Sequence, residues 1–140
     1  MSIIGIDFGS TMTKIVQIKN NNLINKGIYS EKNEKKVIEK FINDNNINLE
    51  EIEEFVITGV RAVKIKGNIY NKPTKIVGEF AAIANCVNKN CLIASIGTGT
   101  AFILKNEENA MHLGGTGLGG GTLINLVKRL TDINNFDNIK

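Results

Sequence analysis

The sequence predicts an α/β fold: a mixed sheet that opens with three antiparallel strands and carries flanking helices. Three observations predict it. Short, β-branched apolar runs at the start are separated by tight turns, so they meander and do not alternate with helices as a Rossmann opening would. Three later stretches space their apolar residues at helical intervals. Glycine-rich turns recur where apolar runs end.

Taken in order, Ser2–Phe8 (SIIGIDF) is an apolar run closed by Asp7 and Gly9, as a buried strand requires. Residues 11–19 (TMTKIVQIK) carry β-branched residues in partial alternation and form a second strand after a turn at Gly9 and Ser10. Asn20, Asn21 and Asn22 mark another turn, and residues 23–29 a third strand. From Glu34 to about Asp44 the spacing of Val37, Ile38, Phe41 and Ile42 predicts an amphipathic helix. Phe55, Val56 and Ile57 form a short strand ending at Thr58 and Gly59, and residues 60–75, polar and with the only proline, read as a loop. Residues 77–87 return to helical spacing through Val77, Phe80, Ala81 and Ala84. Cys91–Ile96 is a buried strand running into Gly97-Thr98-Gly99-Thr100. Residues 101–105 and 110–113 pair as a hairpin around residues 106–109. The glycine-rich residues 114–121 then open a helix with Leu123, Leu126, Val127 and Leu130 on one stripe. Three strands, helix, strand, helix, strands, helix is the order of a ribonuclease H-like layer, expected as one domain over residues 1–140.

Size and composition narrow the class. A 140-residue chain is one ordinary domain long and buries roughly two-thirds of the surface its unfolded state exposes. Hydrophobic content of 42% with 22% charged residues describes a globular chain, not a disordered one. The apolar runs fall far short of the ~20 residues needed to span a bilayer, and Asp7 interrupts the N-terminal one too early for a signal peptide. A soluble, cytoplasmic protein is expected, with no membrane partner. The net charge of +3 does not make a nucleic-acid surface, because Lys32, Lys35, Lys36 and Lys40 alternate with Glu31, Glu34 and Glu39 as on a solvated helix face. Cys86 and Cys91 lack the companions of a zinc site and are expected to be reduced and partly buried.

Three turns carry the chemistry. In Asp7-Phe8-Gly9-Ser10-Thr11-Met12-Thr13-Lys14, a turn between strands offers successive backbone N–H groups to an anion, and glycine lets it come close. Ser10, Thr11 and Thr13 add hydroxyl donors, Lys14 adds a cation, and Asp7 suits Mg²⁺, which keeps much of its water shell. Alone, Asp-x-Gly-Ser is a weak signal; paired with Gly97-Thr98-Gly99-Thr100, also between two strands, it becomes specific. The third, residues 114–122, opens directly onto a helix, whose N-terminus attracts phosphate. Gly115, Gly117 and Gly120 formally spell G-x-G-x-x-G. The dinucleotide fingerprint also needs a following strand and an acidic residue about 20 positions on, and the chain stops at that distance. No G-K-[ST] closes any glycine run, so there is no Walker A loop either.

A kinase acting on an alcohol benefits from a carboxylate that accepts the hydroxyl proton. Glu79, in the first turn of a helix amid Ile76-Val77-Gly78 and Phe80-Ala81, is the candidate, although acidic residues also favour helix N-termini for structural reasons alone. GIDFGSTMTKIV (5–16), VGEFAAIAN (77–85), SIGTGTAF (95–102) and HLGGTGLGGGTLINL (112–126) together resemble type II pantothenate kinases, of the actin/Hsp70/sugar-kinase superfamily, in order and spacing over nearly the whole chain. The resemblance implies an actin-like ATPase fold and ATP-dependent phosphorylation of pantothenate, with ATP and Mg²⁺ as cofactors and a homodimer in the full-length protein. It implies that Gly9, Ser10, Thr11 and Lys14 bind nucleotide phosphate together with Gly97, Thr98, Gly99, Thr100, Gly119, Gly120 and Gly121. It also implies that Asp7 holds the metal, that Glu79 is the catalytic base, and that Glu79, Thr98 and His112 meet the acceptor.

Two departures qualify it. The family usually has an arginine where His112 stands, and a neutral imidazole does not replace a bidentate guanidinium–carboxylate pair. The chain also resembles only the first of the two domains that clamp ATP in such kinases, so it is expected to be an N-terminal half. The ATPase activators of 2-hydroxyacyl-CoA dehydratases are similar at GIDFGSTMTK, but they place a cysteine near the third motif, where Met111-His112-Leu113-Gly114 has none. Another small-molecule kinase of the superfamily, or a non-catalytic nucleotide-binding module, completes the alternatives.

Overall fold

The computed structural model describes residues 1–107 and 109–133. The chain divides into two compact units, Met1–Glu79 and a second that begins at Phe80, where the sequence predicts a single domain. Local patterning marks strands and helices but does not say whether two similar stretches share one sheet.

The first unit is built on β1 (Ser2–Phe8), β2 (Thr13–Lys19) and β3 (Asn22–Tyr29), an antiparallel meander. Asn20 and Asn21, with φ of 51° and 60°, make the two-residue turn between β2 and β3, a conformation asparagine tolerates and hairpin twist favours. α1 (Glu34–Asp44) follows, capped by the Asn33 side chain, which accepts a hydrogen bond from the Lys36 amide at 3.0 Å. β4 (Ile52–Thr58) then returns parallel to β1, and β5 (Thr74–Ile76) parallel to β4, giving the order β3-β2-β1-β4-β5. This is the mixed sheet that the sequence predicts. β5 lies at the end of the stretch read as a loop. Three residues are too few to show alternation, and their pairing with Phe55–Ile57 is not a local property.

Alternate residues of β1 (Ile4, Ile6, Phe8) turn inward, joined by Ile15, Phe55 and Ile57, and α1 lays Val37, Ile38, Phe41 and Ile42 over them. Burying each such side chain stabilises the fold by about 1.5–3 kcal/mol. The outer face of α1 carries the Lys35–Glu39 and Lys40–Asp44 pairs, as a solvated face should. Glu34 departs from that expectation: its carboxylate is turned in against Arg61.

In the second unit, α2 (Glu79–Ala84) starts at the last residue of the first and is shorter than its apolar spacing predicts. After Ala84 the bonds tighten to i→i−3, from the Cys86 amide to the Ile83 carbonyl and from Val87 to Ala84, which ends the helix. β6 (Cys91–Ile96), β7 (Thr100–Lys105) and β8 (Ala110–Thr116) form a second antiparallel meander, and α3 (Gly120–Leu130) follows. Residue 108, in the predicted β7–β8 turn, lies outside the described residues. The second unit thus repeats the three-strand-and-helix opening of the first. Its core is slight: Ile103 and Ala84 are its buried apolar side chains among the described residues, and Leu123, Leu126 and Leu130 of the α3 stripe are exposed. Cys86 is also exposed, not partly buried as expected; Cys91 is intermediate. No helix of the described residues is long and apolar enough to cross a membrane.

Candidate functional site

The first turn closes the β1–β2 hairpin. The ladder sets Asp7 opposite Lys14, and Lys14 Nζ donates to Asp7 Oδ2 at 2.8 Å. The Asp7 side chain is one-third exposed and that of Lys14 more than half, so both are open to a ligand. Two glycines are required here by close approach. A Cβ on Gly9 would lie 2.8 Å from the Met12 carbonyl oxygen. One on Gly59 (φ +91°) would lie 2.6 Å from both Asp7 Oδ1 and the Phe8 carbonyl oxygen. Ser10 and Thr11 are exposed in the turn. Thr13 is not the ligand donor that the sequence suggests: it is fully buried, and its hydroxyl accepts from Arg61.

The second and third turns belong to the second unit and are brought together there, backbone against backbone. The Gly120 amide donates to the Gly97 carbonyl at 2.8 Å and the Gly121 amide to that of Thr98 at 3.1 Å. The Thr100 hydroxyl donates to the Leu118 carbonyl at 2.7 Å. A Cβ on Gly119 would sit 2.7 Å from the carbonyl oxygens of both Thr98 and Gly99, and one on Gly99 2.8 Å from that of Thr116. Gly115 and Gly121 are hemmed in likewise, by the Thr100 carbonyl and the Thr98 methyl. The density of glycine is thereby explained by interlocking. It also revises the expectation for Gly120 and Gly121, whose amides, two of the four normally left unpaired at a helix start, are spent on the second turn. The positive end of the α3 dipole remains at the junction.

Glu79 is exposed as the first residue of α2, within the first unit. His112, on β8, is exposed and stacks on Phe80: ring centroids are 4.2 Å apart and the planes 14° from parallel. The stack fixes the orientation of the imidazole. Sequence reasoning missed three residues that shape these sites: Gly59, Arg61 and Phe80. Arg61 is one of two arginines in the chain and belongs to no motif; only its partners give it a role.

For Mg²⁺, Asp7 supplies the donor chemistry. Lys14 engages Oδ2, Oδ1 stands over the space that Gly59 keeps clear, and Mg²⁺ is commonly held by one or two carboxylates with phosphate and water completing the shell. Asp7 is one carboxylate of that kind, and no group of three or more His, Cys, Asp or Glu side chains that could hold a metal ion stands among the described residues.

A mixed sheet with an antiparallel opening, a glycine turn between its first two strands, and a second unit that begins the same way define an actin-like ATPase fold. The activator of 2-hydroxyisocaproyl-CoA dehydratase from Clostridium difficile, solved with bound ADPNP, superposes with a TM-score of 0.75 at 20% identity, covering 95% of this chain and 53% of that one. In sequence the chain is similar to type II pantothenate kinases. It is 31% identical to that of Bacillus cereus strain G9842 over 97% of its own length, and 32% identical to that of Bacillus anthracis over 99%. It spans about half the length of these curated relatives, 52% in both cases. No family model matches the chain.

Proposed function

We propose that this chain forms part of a cytoplasmic ATP-dependent kinase that phosphorylates the primary hydroxyl of pantothenate, the first step of coenzyme A synthesis. The observation that carries the reading is the β1–β2 turn, where Asp7 and Lys14 are paired across the hairpin beside an exposed glycine-hydroxyl loop. The similarity to pantothenate kinases over nearly the whole chain supports the choice of acceptor.

In this mechanism Lys14 leaves Asp7 for the nucleotide phosphates and offsets the charge that spreads over them during transfer. Asp7 would hold Mg²⁺, which when bound would supply further charge neutralisation. The loop of Gly9, Ser10 and Thr11 is the phosphate motif of the first unit; the Gly97–Thr100 turn is that of the second, held from behind by Gly119–Gly121. Glu79 accepts the proton of the pantothenate hydroxyl as its oxygen attacks the γ-phosphorus of ATP, and the bond from that phosphorus to the departing ADP breaks. His112, oriented by Phe80, and Thr98 meet the rest of the acceptor, with His112 directed to its carboxylate.

The test is pantothenate-dependent ADP release from MgATP, beside the Glu79→Gln variant, in the protein extended to the length of its relatives. Release that needs pantothenate and is abolished by the substitution supports the proposal. ATP turnover indifferent to pantothenate overturns the acceptor and favours a second reading, an ATPase of the dehydratase-activator kind, which the fold likeness to such an activator supports.

A further inference from the structure

The side chain of Arg61 lies under the first turn and belongs to no recognised motif. It is 8% exposed, and its guanidinium is shared among three segments. Nε donates to the Gly9 carbonyl at 2.7 Å, one terminal nitrogen donates to the Thr13 hydroxyl, and the other donates to the Lys32 carbonyl at 2.9 Å and the Glu34 carboxylate at 3.2 Å. The Arg61 amide adds a bond to the Phe8 carbonyl at 3.0 Å. Residues 8, 9 and 13 flank the turn on both sides, so one side chain and its own backbone fasten both ends of the loop.

We infer that Arg61 is a positioning residue, which holds the β1–β2 turn in the shape that receives nucleotide phosphate. The inference rests on the kinase reading above. A trans peptide points its C=O and N–H to opposite sides. By fixing the Gly9 carbonyl inward, Arg61 turns the Ser10 amide to the opposite face of that peptide. Only a guanidinium presents enough donors in a rigid fork for this task; a lysine ammonium is a single point charge on a flexible stem. Glu34, half-buried against Arg61, sets a carboxylate beside its charge and shares that carboxylate with Lys64. The guanidinium's donors are taken up by protein acceptors, so the anchor acts by geometry and not as a second phosphate cation. Gly59 works alongside: no other residue fits between Asp7 and the Phe8 carbonyl, and Arg61 stands only two residues beyond it.

The experiment compares Arg61→Lys and Thr13→Val with wild type in the full-length protein. Thr13→Val keeps the buried shape and removes one acceptor. Three quantities are read: MgADP affinity by calorimetry, the KM values for MgATP and for the acceptor, and deuterium exchange of the peptide spanning residues 8–14. Expected are a loss of about tenfold or more in MgADP affinity and a matching rise in KM for MgATP, since hydrogen bonds from a charged group are lost. The KM for the acceptor should stay unchanged, and exchange should quicken in that peptide while the β4 strand stays protected. A merely structural arginine would loosen exchange throughout the first unit and leave nucleotide affinity of the folded fraction intact; that result overturns the inference. If Arg61→Lys does not fold, Thr13→Val decides alone by the same readouts. If wild type itself binds no MgADP, the kinase reading fails and the positioning role falls with it; wild-type binding with unchanged variants rejects Arg61 only.

Discussion

Replacing Gly119 by alanine tests whether the second and third turns interlock as described. Gly119 has an extended backbone, so the substitution adds no conformational strain; the effect comes from space alone. The new methyl carbon would sit 2.7 Å from two carbonyl oxygens, Thr98 and Gly99, and 2.8 Å from the Gly99 carbonyl carbon. Ordinary carbon–oxygen contacts begin at about 3.3 Å, so these backbone atoms must retreat by roughly 0.6 Å. The Gly121 amide, already 3.1 Å from the Thr98 oxygen, would then lose its acceptor. Overpacking against backbone costs about 1–3 kcal/mol, and the lost hydrogen bond about 1 more. Both tyrosines lie in the first unit and the chain has no tryptophan, so intrinsic fluorescence does not report on this junction. Amide exchange of residues 97–122 does: a penalty of about 2–4 kcal/mol speeds exchange by roughly thirtyfold to several hundredfold, or abolishes protection. Gly117→Ala is the control, since its Cβ would meet nothing within 4 Å. Equal exchange in the two variants would refute the interlocking argument.

Two further outcomes follow from named contacts. His112→Arg is expected to lower the KM for pantothenate by about tenfold, because a guanidinium pairs a carboxylate bidentately while still stacking on Phe80; steady-state kinetics check this, and an unchanged KM removes His112 from the acceptor site. Tyr29→Phe is expected to flatten the alkaline loss of stability. Burial raises the Tyr29 phenol above its usual value near 10, with the Asp44 carboxylate adding to it, so the fold favours the neutral form. Its contribution is intact below pH ~10, where the unfolded chain also keeps the proton, and is lost as pH rises from there through the folded value. Urea midpoints between pH 8 and 11 should fall more steeply for wild type than for the variant, and parallel curves would reject the argument.

The elements that local chemistry specifies were legible. The asparagine turn, the inward alternation of β1 and the Val37–Ile42 stripe of α1 each encode their own structure, and the observed α1 bounds match the expected ones. β5 and the early start of β4 at Ile52 were not, because parallel pairing is set by distant residues and Glu53 and Glu54 mask the apolar pattern. The candidate site divides in the same way. Glycine and hydroxyl residues announce the three turns, whereas Arg61 reaches Gly9 across 52 residues of chain. The α3 stripe is a different case: its leucines have the period of a buried face, yet among the described residues that face is exposed.

The two glycine turns that look alike in sequence are held by different physics. At the β1–β2 turn glycine makes room for neighbouring backbone and for Asp7, and the loop is tied down separately by a buried guanidinium that touches both of its ends. At the β6–β7 turn no arginine intervenes among the described residues; the third glycine run itself packs on the loop, and the first amides of α3 take the place of guanidinium donors. Each solution leaves a hairpin turn fixed from behind, which is what a phosphate site needs if ordering the loop is not to cost binding energy. The difference predicts where each tolerates change. The first turn should fail through substitutions at Arg61 or Glu34, remote in sequence, as well as at Thr13 beside it. The second should fail through local changes within residues 97–121, by added side-chain bulk or by loss of the Thr100 hydroxyl.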